Sequence, residues 1–388
     1  MVKFCSMFSQ LLPLISKTDF NECVLATKAE RHSRGFSCWD QMVSMLFCQL
    51  GRAHSLREIC GGLASCEGKL NHMGMSGAPA RSTLAYANTH RPFELYEQLF
   101  YRVLARFQSE KLGRHRFRFR NKLISMDATV IDLCAETFEW AKFRQTKGAV
   151  KLHLQLDHDG YLPCFVLITE GKKHEITVAR TLNYAPGSIL VFDRGYNDYE
   201  WFQALTQDGV YFVTRMKDNA VFEVEELHAV PQGRNVISDA TVRIGGYLAG
   251  QTCRKPLRRI EFYDSKAKRI LVFLTNNFKL GSSTIAAIYK DRWQIELFFK
   301  AIKQNLKVKT FLGTSANALK TQIWTALIAM LLLRYLQLKA RFKWSFSNLL
   351  ALLRMSLFVH RDLWKWLDEP FAPPPDIPQG IQTTLQFT

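Results

Sequence analysis

The spacing of apolar residues changes character along the chain. Up to about residue 108 apolar side chains recur every three and four positions, as at Met42, Met45, Leu46 and Leu50, the period of a helix buried along one face. Ser55, followed three residues later by Glu58, makes a capping-box pattern and predicts a helix over Leu56–Leu63. A loop rich in Gly, Ser and Met follows over 67–79, and Ser82 or Thr83 opens the next helix. Two short helices around a loop permit a helix-turn-helix-like DNA reader or an ordinary helical bundle.

Between 111 and 122 the pattern alternates instead. Lys111, Arg114, Arg116, Arg118, Arg120 and Lys122 are basic, and Phe117 and Phe119 interleave with the arginines. That period predicts an extended segment with one charged edge, able to track phosphates or simply to link two domains in solvent. From Leu123 onward short apolar runs read as strands: Leu123–Met126 ending at Asp127, Val150–Leu156 and Leu162–Thr169 joined at Gly160, Ser188–Phe192 running into Asp193, and Val210–Thr214. Helices are predicted over Glu175–Leu182 and Tyr199–Leu205.

Residues 216–266 break this rhythm with short β-like pieces, Val221–Val224, Thr241–Ile244 and Arg259–Tyr263, separated by Pro and Gly. Arg269–Thr275 resumes the core sheet, helices dominate from Ser283 to about Trp366, and the tail with Pro373–Pro375 and Pro378 has neither period. The pattern predicts an α/β fold, a mixed sheet flanked by helices. Its divisions are a helical N-terminal region (1–110), a basic linker (111–122), a first core part (123–215), a β-rich insertion (216–266), a second core part (267–345) and a C-terminal helix with a proline-rich tail (346–388).

Composition narrows the partners. The chain has 388 residues and a formal charge of +18, with 47% hydrophobic residues. Such a chain can build a core, and an excess of cations on a soluble protein favours a polyanion such as nucleic acid. There are 9 cysteines, without zinc spacing, so free thiols in a reducing cytosol are expected. The N-terminal apolar residues have helical spacing and no export-signal core, and the run Ile323–Leu333 is shorter than the about 20 residues that cross a bilayer. It reads as a buried core helix. Neither a G-x-G-x-x-G nor a P-loop pattern is present.

Candidate chemistry lies at three acids. Asp127 and Asp193 each end a buried strand, the position from which α/β sheets project side chains into a ligand crevice. Glu296 lies on a helical stripe with Tyr289, Arg292, Lys300 and Lys303, one acid among cations. Such a face suits a phosphodiester, although an exposed helix with ion pairs has the same pattern.

The spacing Tyr289, Arg292, Glu296, Lys303 resembles the Y-x2-R-x3-E-x6-K signature of the insertion-sequence-four family of DDE transposases. Asp193-Arg194-Gly195-Tyr196, with Tyr199 nearby, is similar to that family's second-aspartate motif, and Ser125-Met126-Asp127-Ala128-Thr129 to its first. The resemblance runs from about Phe4 to Lys339 and includes Phe36-Ser37-Cys38-Trp39-Asp40.

It implies an RNase H-like core preceded by an all-helical DNA-binding region, and catalysis by Asp127, Asp193 and Glu296 as ligands of Mg²⁺, with Mn²⁺ as a substitute. It implies double-stranded DNA as partner, both the element's terminal inverted repeats and the target. The expected product is excision and integration by strand cleavage and 3′-hydroxyl strand transfer, by a homodimer on DNA, in the bacterial cytoplasm at the nucleoid. Tyr289, Arg292 and Lys303 are the implied phosphate contacts. Lys300, Arg194, Lys151, Arg116, Arg118 and Arg120 are further DNA-binding candidates by position. Relatives that form a DNA hairpin hold a flipped base on a tryptophan of the insertion. Residues 216–266 contain none, leaving Phe222, Tyr247, Phe262 and Tyr263 as stacking candidates. An RNase H-like nuclease or resolvase, or a catalytically inactive transposase-derived DNA-binding protein, are the competing readings.

Overall fold

The computed structural model describes residues 5–31, 33, 35–66, 68–110, 113–134, 142–144, 147–246, 252–306 and 311–372. Lys111, Tyr247 and the proline-rich tail lie outside the described residues.

Before the sheet the described residues form the α-helices α1 (Met7–Leu11), α2 (Lys17–Thr27), α3 (Cys38–Gly51), α4 (Leu56–Ala64), α5 (Arg81–His90) and α6 (Glu94–Ser109). Their starts follow local chemistry. The Ser37 hydroxyl accepts from the Asp40 N–H while Asp40 accepts from the Ser37 N–H, a full capping box. Ser55 likewise accepts from the Glu58 N–H, but Glu58 reaches one residue further back, to the N–H of His54. Helix α5 begins at Arg81, one residue earlier than the hydroxyl side chains predict, with Ala80 as an N-cap that offers no side-chain acceptor.

Among the described residues ten strands form one sheet: β1 (Leu123–Cys134), β2 (Lys142–Arg144), β3 (Lys147–Asp157), β4 (Leu162–Glu170), β5 (Ile189–Phe192), β6 (Tyr211–Arg215), β7 (Phe222–Leu227), β8 (Val236–Ile244), β9 (Leu257–Asp264) and β10 (Arg269–Thr275). The order is β2-β3-β1-β5-β6-β10-β9-β8-β7, with β4 also on β3. β1, β3 and β4 are an antiparallel meander, β5 and β6 run parallel to β1, and the remaining pairs are antiparallel. The β-rich pieces of 216–266 therefore extend the sheet beyond β10. They run longer than the predicted pieces: β7 on to Leu227, β8 from Val236 and β9 from Leu257 to Asp264.

Helices α7 (Glu175–Ala179) and α8 (Tyr199–Gln207) punctuate the sheet, α7 ending three residues short of the predicted Leu182. After β10 come α9 (Ser282–Asp291), α10 (Trp293–Asn305), α11 (Ala316–Lys339), α12 (Phe346–Met355) and α13 (Leu363–Asp368). α11 has the length and composition of a membrane span, yet 83% of its most apolar window is buried inside the protein. It touches α3, α5, α6 and α12. One hydrophobic cluster joins α1–α6, the hairpin β3–β4 and α10–α13. The N-terminal helices thus pack on the C-terminal ones.

The two faces of β5 are covered separately. Leu190 and Phe192 pack with Trp201 and Phe202 of α8, whereas Ile189 and Val191 pack with Ile285 and Ile288 of α9. The insertion is pinned by a buried pair: Arg258 donates through Nε and Nη2 to Asp239 at 2.8 and 2.6 Å, and through Nη1 to the carbonyls of Asn277 and Leu280.

Candidate active site and nucleic-acid interface

β1 and β5 are paired in parallel from Leu123 opposite Ile189 to Met126 opposite Phe192. Asp127 and Asp193 are the next residue on each strand. Neighbouring strands lie about 4.8 Å apart, and side chains alternate between faces, so both acids leave the sheet side by side on the α9 face. The predicted strand end at Asp127 is corrected: β1 continues to Cys134, still paired with β3. Only the parallel partner stops at Met126, which opens the sheet beside Asp127.

The helical stripe is not one helix. Arg292 alone separates α9 from α10: its φ −52° and ψ −30° stay helical, but its N–H bonds back three residues, to the Tyr289 carbonyl. Tyr289, on α9, packs its ring at a tilt 5.0 Å from that of Phe273 and lies 5.5 Å beneath the Arg292 guanidinium. Arg292 donates through Nη2 to Glu296 Oε1 at 2.5 Å and approaches Asp127 Oδ2 through Nη1 at 3.5 Å. One guanidinium thus ties the helix acid to a strand acid. Lys303 donates to the carbonyl of Val130 on β1 at 2.8 Å, and Lys300 is exposed.

Burial raises the Asp127 carboxyl from 3.8 to about 7; Arg292 opposes this and the negative charges of Asp193 and Glu296 add to it. Asp127 Oδ1 accepts from the N–H of Ala128, and Asp193 Oδ1 from that of Gly195, both at 2.8 Å. All three acids offer oxygen ligands, the donor type a hard divalent cation takes. Among the described residues no three acidic, His or Cys side chains converge closely enough to hold a metal ion, and Arg292 lies between Asp127 and Glu296.

The other basic candidates divide. In the 113–122 segment Arg114, Arg116, Arg118, Arg120 and Lys122 are exposed while His115, Phe117 and Phe119 are half-buried, the alternation the sequence predicts. The segment is no strand, however: it has no ladder partner and bends along the surface, with Phe117 and Phe119 stacked on each other and packed on the core. It starts where a Cβ at Gly113 would meet the Cα of Gly160 at 2.5 Å, so two glycines allow it to lie against the β3–β4 turn. Arg116 pairs with Asp291 at 3.2 Å. Arg194 is half-exposed and pairs with Asp218 at 3.1 Å. Lys151 is buried and donates to Glu175 and to the carbonyl of Lys173, both at 2.8 Å, which turns its charge inward, away from any ligand.

Sequence reasoning missed one group. His158, fully buried, joins the Ser125 hydroxyl through Nε2 at 2.6 Å and Asp291 through Nδ1 at 2.8 Å; the Tyr161 hydroxyl also donates to Asp291 at 3.0 Å. Burial pushes the Asp291 carboxyl up, but the bond and charge of His158, the charge of Arg116 and the bond from Tyr161 together outweigh it, and the group lies below its usual range. Ser125 is fully buried, so this Ser–His–Asp set holds no reachable nucleophile. It clamps β1, the hairpin turn and the end of α9 next to Arg292. No local motif signals it, since Ser125 and Asp291 are far apart in sequence. Of the insertion's aromatics, Phe222 lies under Arg259 at 4.8 Å, Phe262 packs toward Phe273 and Tyr263 is 40% exposed.

Comparison with known proteins shows which family the chain resembles. The Transposase DDE domain family matches residues 118–332, and a family described only as a domain of unknown function matches 5–76. The y4zB protein of Sinorhizobium fredii, named as a transposase, is 33% identical over 79% of this chain and 85% of its own length. The transposase assigned to insertion sequence element IS5377 of Geobacillus stearothermophilus is 30% identical over 66% of this chain and 67% of its own length. The one assigned to element IS4SA of Synechocystis is 26% identical over 55% and 60%. A piggyBac transposase synaptic complex with hairpin DNA aligns with a TM-score of 0.45 at 9% identity, covering 95% of this chain and 85% of that one, too loose a likeness to carry an argument.

The chain belongs to the DDE transposase family. It is an enzyme of the kind that insertion sequences encode to move themselves, and the family generally works with divalent metal ions.

Proposed function

We propose that Asp127, Asp193 and Glu296 are the catalytic carboxylates of an insertion-sequence-four transposase with an RNase H-like core, and that they hold Mg²⁺, or Mn²⁺ in its place. The observation that carries the reading is the side-by-side exit of Asp127 and Asp193 from β1 and β5, facing a Glu296 tied to Asp127 through Arg292. The antiparallel meander β4-β3-β1 continued by parallel β5 and β6 supports the core assignment. Two bound ions about 3.5–4 Å apart would activate a water or a DNA 3′-hydroxyl and stabilise the leaving oxygen.

The chain's own residues do the rest. Asp127 and Asp193 supply a rigid half of the ligand set, because the ladder of β1 fixes the first and the turn bond from Gly195 the second. Glu296 completes the set from α10. Tyr289, Arg292, Lys300 and Lys303 line that side, and Arg116, Arg118, Arg120 and Arg194 offer cations to the phosphates of terminal-repeat or target duplex around it. Two copies on paired ends give the synapsis that excision and 3′-hydroxyl strand transfer require. A bacterial cytoplasm, where the nucleoid is the substrate, fits that chemistry.

The deciding experiment is Glu296→Gln on the full chain with a duplex carrying the element's ends. The expected result is retained duplex binding with metal-dependent cleavage and strand transfer lost. Unchanged cleavage removes Glu296 from the chemistry and the proposal with it.

A further inference from the structure

Two buried arginines in this chain are held very differently. Arg258 uses Nε, Nη1 and Nη2 on Asp239 and two carbonyls, a closed cage. Arg292 is equally enclosed, its side chain 12% exposed, but its Nε is buried with no hydrogen-bond partner, and its approach to Asp127 is a long 3.5 Å. Only the bond to Glu296 is short. A guanidinium has five N–H donors in a rigid fork. Here charge attraction holds it between two carboxylates while much of the fork stays unused. It also sits at the single break between α9 and α10, beside the Tyr289 ring, so its side chain leaves the chain where helical packing is interrupted.

We propose that Arg292 is a shared arm that couples metal entry to DNA binding: a divalent cation taking Asp127 and Glu296 displaces the guanidinium, which then grips a phosphate of the bound strand. This rests on the reading that these carboxylates hold metal. The reason is electrostatic. A guanidinium bonded to Glu296 and within 3.5 Å of Asp127 occupies oxygen lone pairs that a cation needs, and the two positive charges repel at that distance. Once evicted, a guanidinium finds in a phosphate the same planar, bidentate partner that a carboxylate offers. The arm therefore opposes metal on the free protein and favours metal once DNA is present. By linkage, metal strengthens DNA binding by the same factor.

The test is Mn²⁺ binding to the DNA-free full chain, read by the electron paramagnetic resonance of free Mn²⁺, for wild type, Arg292→Gln, Arg292→Lys and Asp127→Asn. Arg292→Gln is expected to bind Mn²⁺ about tenfold more tightly than wild type, the size of one charge-assisted hydrogen bond removed from competition. Arg292→Lys, whose ammonium can engage one carboxylate but not both, should fall between them, and it serves alone if the Gln variant does not fold. In parallel, Mn²⁺ should tighten wild-type binding to a short duplex of unrelated sequence, read by fluorescence anisotropy, and tighten Arg292→Gln binding several-fold less. Wild-type or weaker Mn²⁺ affinity in the Arg292 variants, with Mn²⁺ binding lost in Asp127→Asn, overturns the arm and leaves the metal site standing. Mn²⁺ binding undiminished in Asp127→Asn overturns the metal reading itself.

Discussion

The two halves of the candidate site are positioned by different forces. Asp127 and Asp193 are set by backbone pairing: once β1 and β5 align Met126 with Phe192, the next residue of each strand has little freedom. Arg292, Glu296 and Lys303 are set by side chains, through the bridge to Asp127, the bond to the Val130 carbonyl and the buried His158–Asp291 clamp at the end of α9. A ladder of many small bonds tolerates the loss of one side chain. A buried polar clamp at a helix end does not, although α9 and α10 are themselves anchored in the core by Ile285, Ile288, Ile295, Phe298 and Ile302. The strand half, like Glu296 itself, should therefore lose chemistry without losing structure, whereas loss of the Asp291 clamp at the helix end should cost stability.

The largest effect is expected on the strand half. Asp193→Asn should lower metal-dependent strand cleavage about a thousandfold or more while thermal unfolding stays close to wild type. A large drop in melting temperature would mean that Asp193 also carries structure, and the contrast between the halves would fail. Asp291→Ala comes next. It strips a carboxylate buried against His158, Tyr161 and Arg116, and breaking such a buried pair costs about 3–5 kcal/mol. Denaturant unfolding checks this, and stability within about 1 kcal/mol of wild type would show that the clamp does not hold the helix end.

A pH experiment sharpens the comparison within the sheet. His153, paired with Ala128 on β1, is held neutral: burial first, then the charge of Lys151, lower its pKa from 6.5 to about 4. Its folded pKa is depressed, so its protonation opposes folding. Stability from this group is intact above about 6.5 and is lost as pH falls toward 4, by about 3 kcal/mol over that window. His153→Gln should flatten that acid limb in unfolding curves, and an unchanged limb would assign the loss to other groups. The smallest effects belong to the surface cations. Arg118→Ala and Arg120→Ala should each reduce the salt dependence of duplex binding by about one unit of slope. Lys151→Met should leave that slope unchanged, because its charge is spent on Glu175.

The residues differ in how legible they were. Asp127 and Asp193 were legible because each follows a short apolar run, and burial of a strand writes itself into composition. The alternation of arginine and phenylalanine over 113–122 correctly gave which side chains face solvent, but not that the segment bends without a ladder, since exposure alternates on any extended chain that lies on a core. The ion pair of Lys151 was equally hidden: a strand period says which face a lysine shares, not whether Glu175 waits there. The Ser125–His158–Asp291 clamp was invisible, because its members come from three elements and no local spacing joins them.

By itself the sequence determined the elements, the alternation of their buried faces and the types of acid and cation available, since these follow from local periodicity and side-chain chemistry. Only the tertiary structure decided the strand order that sets Asp127 beside Asp193, the break at Arg292 and its bridge from Glu296 to Asp127, and the packing of the N-terminal helices on α11. Those depend chiefly on contacts between residues distant in sequence, such as β1 with β5 and Asp127 with Arg292, whose energies no local pattern encodes.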